Sequence, residues 1–162
     1  MFVAMEQLSD GFAVRGAFCD ALVRSGSLKA AGGTWNPQAK AWIFPSDRLD
    51  QVDDLYRKYL GCGVKGNDPV AKVRITLEGG LSRANHDSQN LVIENLQIAH
   101  AWGRDDGATV SSGISVVWGG FDGGGSKKNP ILTAHPGTII ELTAPVLWAE
   151  KAKAAGWSVE FV

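Results

Sequence analysis

The chain has 162 residues, 44% of them hydrophobic and 20% charged, which fits a folded globular protein of one domain or two very small ones and excludes wholesale disorder. Its formal net charge of -1 lacks the overall basic footprint of a dedicated nucleic-acid binder, although 16 Lys and Arg leave room for a local basic face. Two cysteines, Cys19 and Cys62, are too few for a disulfide framework, the start MFVAMEQLSD has no basic leader, and no apolar run approaches the roughly 18 residues of a membrane span; the expectation is a cytoplasmic protein with reduced thiols.

In chain order, a short apolar run, the turn signal Ser9-Asp10-Gly11 and alternating apolar residues from Phe12 to Phe18 predict a small hairpin. Asp20 to Ala31 reads as a helix through Ala21, Leu22, Leu28 and Ala31, bent or broken at Gly26 and stopped by Gly32 and Gly33. Asn36-Pro37-Gln38-Ala39-Lys40 then reads as a hairpin connection. A loop of Pro37 to Lys40 sets Asn36 opposite Ala41, Trp35 opposite Trp42 and Thr34 opposite Ile43, with Phe44 on the face of Trp42. Ser46 is the expected N-cap of a second helix, on which Leu49, Val52, Leu55, Tyr56, Tyr59 and Leu60 form an apolar stripe and Asp50, Asp53, Asp54, Arg57 and Lys58 fill the solvent face.

The segment 61–69, rich in Gly and Asn, is the expected boundary between a strand-helix-hairpin-helix unit at 1–63 and a β-rich unit at 70–162. Beyond it, Val70 to Leu77 alternates as a half-buried strand with Lys72 and Arg74 outward. Further strands are expected at Leu91 to Trp102, Ile114 to Trp118, Ile131 to Thr133, Thr138 to Thr143 and Trp157 to Val162. A helix at Pro145 to Ala155 precedes the last of them. The polar stretch 81–89 and the glycine-dense stretch 119–130 read as loops, the second as a mobile basic tip carrying Lys127 and Lys128. The fold class is α+β, with the second half a small barrel or sandwich.

The run GGGSKK is not a phosphate loop, because Asn129-Pro130 follows where that motif needs Ser or Thr and a helix. His86, His100 and His135, with Asp87 or Asp122, sit at no recognised metal-ligand spacing, and no nucleophile motif is present. The reading therefore assigns no catalytic residue, no metal and no cofactor. Asp53-Asp54 and Asp105-Asp106 read as solvated surface charge.

Lys29 and Lys40 flank the aromatic hairpin with no acid between Asp20 and Asp47, which makes it locally basic. The rings of Trp35 and Trp42 are read as core in preference to stacking platforms, because two adjacent helices offer a place to bury them. The pattern Gly32-Gly33-x-Trp35-Asn36-Pro37-x-x-Lys40-x-Trp42-x-Phe44-Pro45 resembles a small module of mobile-element proteins and DNA primases, and more distantly the HepA-related (HARP) domain of annealing helicases, over residues 12–60. The resemblance implies an accessory module that engages DNA, with Lys40, Lys29 and Arg24 as contacts. The resulting expectation is a non-enzymatic protein, carried by a plasmid or phage, that binds single-stranded or branched DNA. Lys72, Arg74, Lys127 and Lys128 would extend its surface. The alternative is a protein-interaction or inhibitor module acting on a host defence or replication factor.

Overall fold

The computed structural model describes residues 2–16, 19–79 and 89–162, so the expectations for Phe18, His86 and Asp87 lie outside the described residues. The first two strands, β1 (Val3–Leu8) and β2 (Gly11–Gly16), form the expected hairpin, with Leu8 opposite Gly11 across the Ser9-Asp10 turn. The expected first helix is two short ones, α1 (Asp20–Arg24) and α2 (Ser27–Ala30). Gly26 separates them at φ 74, a left-handed conformation that interrupts the helix and that glycine adopts without steric cost.

The second hairpin pairs β3 (Thr34–Asn36) with β4 (Ala41–Pro45) in the expected register, Trp35 opposite Trp42. Together the four strands make an antiparallel sheet in the order β1-β2-β4-β3. Phe12 on β2 and Phe44 on β4 stack at 5.4 Å and are both buried. Ser46 does not cap the next helix, because the chain enters it through a 3-10 turn, Ser46–Arg48, that begins at Ser46 and has no side-chain cap. Helix α3 (Leu49–Leu60) buries Val52, Tyr56 and Leu60 at successive turns and ends at Gly61, φ 70.

The second half contains β5 (Val70–Leu77), β6 (Asn90–Ile93), β7 (Leu96–Gly103), β8 (Gly107–Val110), β9 (Ile114–Trp118), β10 (Phe121–Gly125), β11 (Pro130–Ala134), β12 (Thr138–Pro145), α4 (Val146–Ala154) and β13 (Ser158–Phe161). These form three antiparallel sheets in the orders β13-β5-β12-β9, β6-β7-β8 and β10-β11. With 22% helix, 47% strand and one helix before the last strand, the fold is α+β.

Two expectations for this half are corrected. The single strand expected at Leu91 to Trp102 is the hairpin β6–β7, turned at Glu94 and Asn95 with φ 43 and 65, the pair of positive values of a type I′ turn. Neither residue is a glycine, and tertiary hydrogen bonds hold the turn: Asn95 Nδ2 donates to Tyr59 O at 2.9 Å and Trp148 Nε1 donates to Glu94 O at 3.1 Å. The glycine run is strand β10, paired with β11; only Ser126 to Asn129 forms the tip. The glycines serve close approach, since a Cβ on Gly123 would collide with the backbone carbonyl of Gly107.

The segment expected as a boundary, 61–69, is irregular chain that is pinned on both sides. Cys62 and Val64 are buried, Gly63 N–H donates to Asp68 at 2.8 Å, and Val146 N–H donates to Pro69 O at 2.9 Å. Asp53, expected in solvent, is only 5% exposed and accepts from Lys65 N–H and from Arg57, each at 3.0 Å. Arg57 in turn pairs with Asp68. Buried residues of both halves belong to one core cluster: Phe2 meets Trp148 edge-on at 5.4 Å, and the Trp148 backbone lies against Gly61. No helix among the described residues is long and apolar enough to cross a membrane.

Candidate functional site

The hairpin connection is built by its own side chains. Asn36 Oδ1 accepts from the N–H groups of Gln38 and Ala39, both at 3.0 Å, the bonding that lets asparagine nucleate a turn. Arg15 on β2 donates to Ala39 O at 3.1 Å and pairs with Glu6 at 2.6 Å, which fastens the loop to the first hairpin. Lys40 then takes φ 48, a left-handed conformation that costs a residue with a Cβ about 1 kcal/mol.

Trp35 and Trp42 face each other at 5.8 Å with rings tilted by 58°. Their environments differ. Trp42 is half-buried against the core, whereas Trp35 is 49% exposed. The expectation that both rings are core is corrected for Trp35, because β3 is the edge strand of its sheet among the described residues.

Beside the pair opens a cleft of about 500 Å³. Trp35, Pro37, Lys40 and Trp42 line it from the hairpin, Val14 from β2, and Leu22, Val23 and Leu28 from the helices. Cys19 and Tyr56 complete it. Burial pushes the Cys19 thiol up, and burial with the neighbouring Cys19 pushes the Tyr56 hydroxyl up, so both are neutral near pH 7. Among the described residues Lys40 supplies the formal positive charge of the cleft, in an otherwise uncharged, largely apolar lining.

Tyr56 has a further property. It is 5% exposed, yet its hydroxyl makes no hydrogen bond among the described residues. Every fully buried polar side-chain atom among the described residues has a partner, so this hydroxyl keeps some accessible surface, and Tyr56 lines the cleft. Helical periodicity marks Tyr56 as core and conceals this. The signal in the sequence is a hydroxyl-bearing residue, Tyr56, between the aliphatic Val52 and Leu60 of the buried face.

The other expected contacts are dispersed. Arg24 pairs with Asp20 at 2.7 Å and lines a separate cavity of about 350 Å³ with Asn90, Gln97 and His100. His100 donates from Nδ1 to Asn90 Oδ1 at 2.6 Å and meets Trp102 edge-on at 4.2 Å. Lys72 and Arg74 both pair with Glu141, at 2.6 and 2.5 Å, across β5 and β12. The Lys72 ammonium and then the Arg74 guanidinium hold the Glu141 carboxyl below its ordinary value. Lys127 and Lys128 stand exposed at the β10–β11 tip, and Lys29 is exposed on α2. Lys29, Lys40, Lys127 and Lys128 form no ion pair among the described residues, so four of the seven expected cations are available to an anion.

His135 pairs with Asp122 at 2.6 Å beside β10, on a different sheet from His100. Among the described residues no three of His, Cys, Asp and Glu lie close enough to hold a metal ion.

Comparison of the chain with models of known families, with curated proteins and with solved structures gave no match.

Proposed function

We propose that this protein is a non-enzymatic accessory protein that binds single-stranded or branched DNA through the β3–β4 hairpin. The observation that carries the reading is Trp35, half-exposed at a sheet edge, in one cleft with the unpaired cation Lys40. A base stacked on such a ring contributes about 1–3 kcal/mol, and a neighbouring lysine meets the phosphate. Keeping lysine at a left-handed position, where glycine or asparagine is easier, supports a use for its charge. The free, buried thiols of Cys19 and Cys62 suit a reducing cytoplasm. The origin on a plasmid or phage rests on the module resemblance alone.

Fluorescence anisotropy of the intact chain with a labelled single strand, at low and moderate salt, tests the proposal. If Lys29 and Lys40 each neutralise one phosphate, the slope of log K against log salt is about −1.4. No binding at low salt overturns it.

One observation favours the second reading, a protein-interaction or inhibitor module. Edge strand β9 exposes Val116, Val117 and Trp118 in succession. Apolar residues on an unpaired strand edge suit strand addition by a partner. A stoichiometric protein partner in a pull-down, without DNA affinity, would select this reading instead.

A further inference from the structure

The Tyr56 hydroxyl is unexplained by the fold. Phenylalanine fills the same buried volume without a polar atom to desolvate, so an unpartnered hydroxyl gives the core nothing. Tyr56 lines a cleft that the described residues wall with two tryptophans and aliphatic side chains and with the cation Lys40. The cleft volume of about 500 Å³ is within the range of small-ligand pockets.

We propose, building on the nucleic-acid reading, that this cleft takes a single unstacked nucleobase from the bound strand. The base presents its faces to Trp35, Trp42 and Leu28 and its polar edge to the Tyr56 hydroxyl. Such a ligand must be flat, apolar on its faces and hydrogen-bonding at its edge, and it must be tied to an anion that stays outside. A nucleobase meets each condition. Its phosphate stays in water beside Lys40, the exposed cation of the lining, because the buried, neutral thiol of Cys19 and hydroxyl of Tyr56 offer an anion no charge. An aromatic side chain of a partner peptide would fit the walls but leave Lys40 without a counter-charge. The strand is thereby held by one inserted base as well as by surface stacking, and the hydroxyl gives the cleft a preference among bases.

The test uses the intact chain, the four free nucleosides and a labelled single strand. Tryptophan fluorescence and the tyrosine ring resonances follow nucleoside binding. The expected result is that at least one nucleoside quenches the tryptophans and shifts Tyr56. Tyr56→Phe should weaken that nucleoside about three- to tenfold, as for one hydrogen bond, and leave the unfolding midpoint unchanged or raised. Strand binding with no response to any nucleoside would overturn the inserted base while leaving surface binding of DNA intact. Nucleoside binding without strand binding would support the cleft and overturn the nucleic-acid reading. Equal nucleoside affinity in Tyr56→Phe, a lowered midpoint, or displacement by an aromatic peptide when nucleosides are silent would each overturn the inference.

Discussion

Replacing Asp53 by alanine should loosen the segment that joins the two halves. The carboxylate is 5% exposed and holds Lys65 N–H and Arg57, each at 3.0 Å. Leaving the Lys65 N–H without its acceptor costs about 1–3 kcal/mol. The ion pair adds less than about 1 kcal/mol, because the Arg57 side chain is 36% exposed and keeps Asp68 as a partner. The loss is therefore about 1–4 kcal/mol, and for a chain of this length the unfolding midpoint should fall by about 2–16 °C. Burial by itself would raise the Asp53 pKa, but the hydrogen bonds from Lys65 and Arg57, with the charge of Arg57, outweigh it and leave the carboxyl below its ordinary 3.8. Since the folded value is depressed, the contribution is present above the unfolded value and is lost as pH falls through the folded one. Asp53→Asn should thus be less stable than the wild type at neutral pH, and the gap should close in acid. Calorimetry of both variants across that range measures this. An Asp53→Ala midpoint equal to wild type, or an Asp53→Asn gap that persists when the carboxyl is protonated, would refute the reasoning.

Other variants separate the parts of the proposed interface. Trp35→Ala should reduce single-strand affinity about tenfold or more while costing only about 1 kcal/mol of stability through the lost ring pair, measured by anisotropy and thermal unfolding. Lys40→Gly should hold or raise stability by about 1 kcal/mol, since it relieves the left-handed backbone, and should still weaken DNA binding; a destabilised variant would contradict the assigned strain. Glu141→Gln should release Lys72 and Arg74, raising single-strand affinity and steepening its salt dependence; an unchanged slope would place the β5 face outside the interface.

Local signals made the hairpin and α3 legible. Asn36 and Pro37 fix the turn, the turn fixes the register of Trp35 with Trp42, and the stripe Val52, Tyr56, Leu60 fixes the buried face of α3. The exposure of Trp35 was not legible, because it follows from β3 standing last in its sheet, a property of strand order that pairing within one hairpin does not contain. The pairing of Lys72 and Arg74 with Glu141 was hidden for a similar reason, since Glu141 comes from a strand 67 residues beyond Arg74. Glu94-Asn95 gives no glycine signal, and its turn depends on Tyr59 and Trp148. Glycine density alone cannot separate a loose tip from backbones in contact, and at Gly123 the contact with Gly107 is what the residue serves. Asp53 looked solvated by helical phase, yet its acceptors are taken by a segment that folds back onto α3.

The meeting of Phe2, Gly61 and Trp148 in one core has a consequence for how the chain can be divided. A cut within 65–69 would sever the backbone without parting the buried surfaces on either side of it. The two fragments should behave as a split protein, each poorly folded alone and recovering the native core when mixed. Complementation of this kind would turn the β3–β4 hairpin into a conditional binder, competent only when the fragment carrying Trp148 is present.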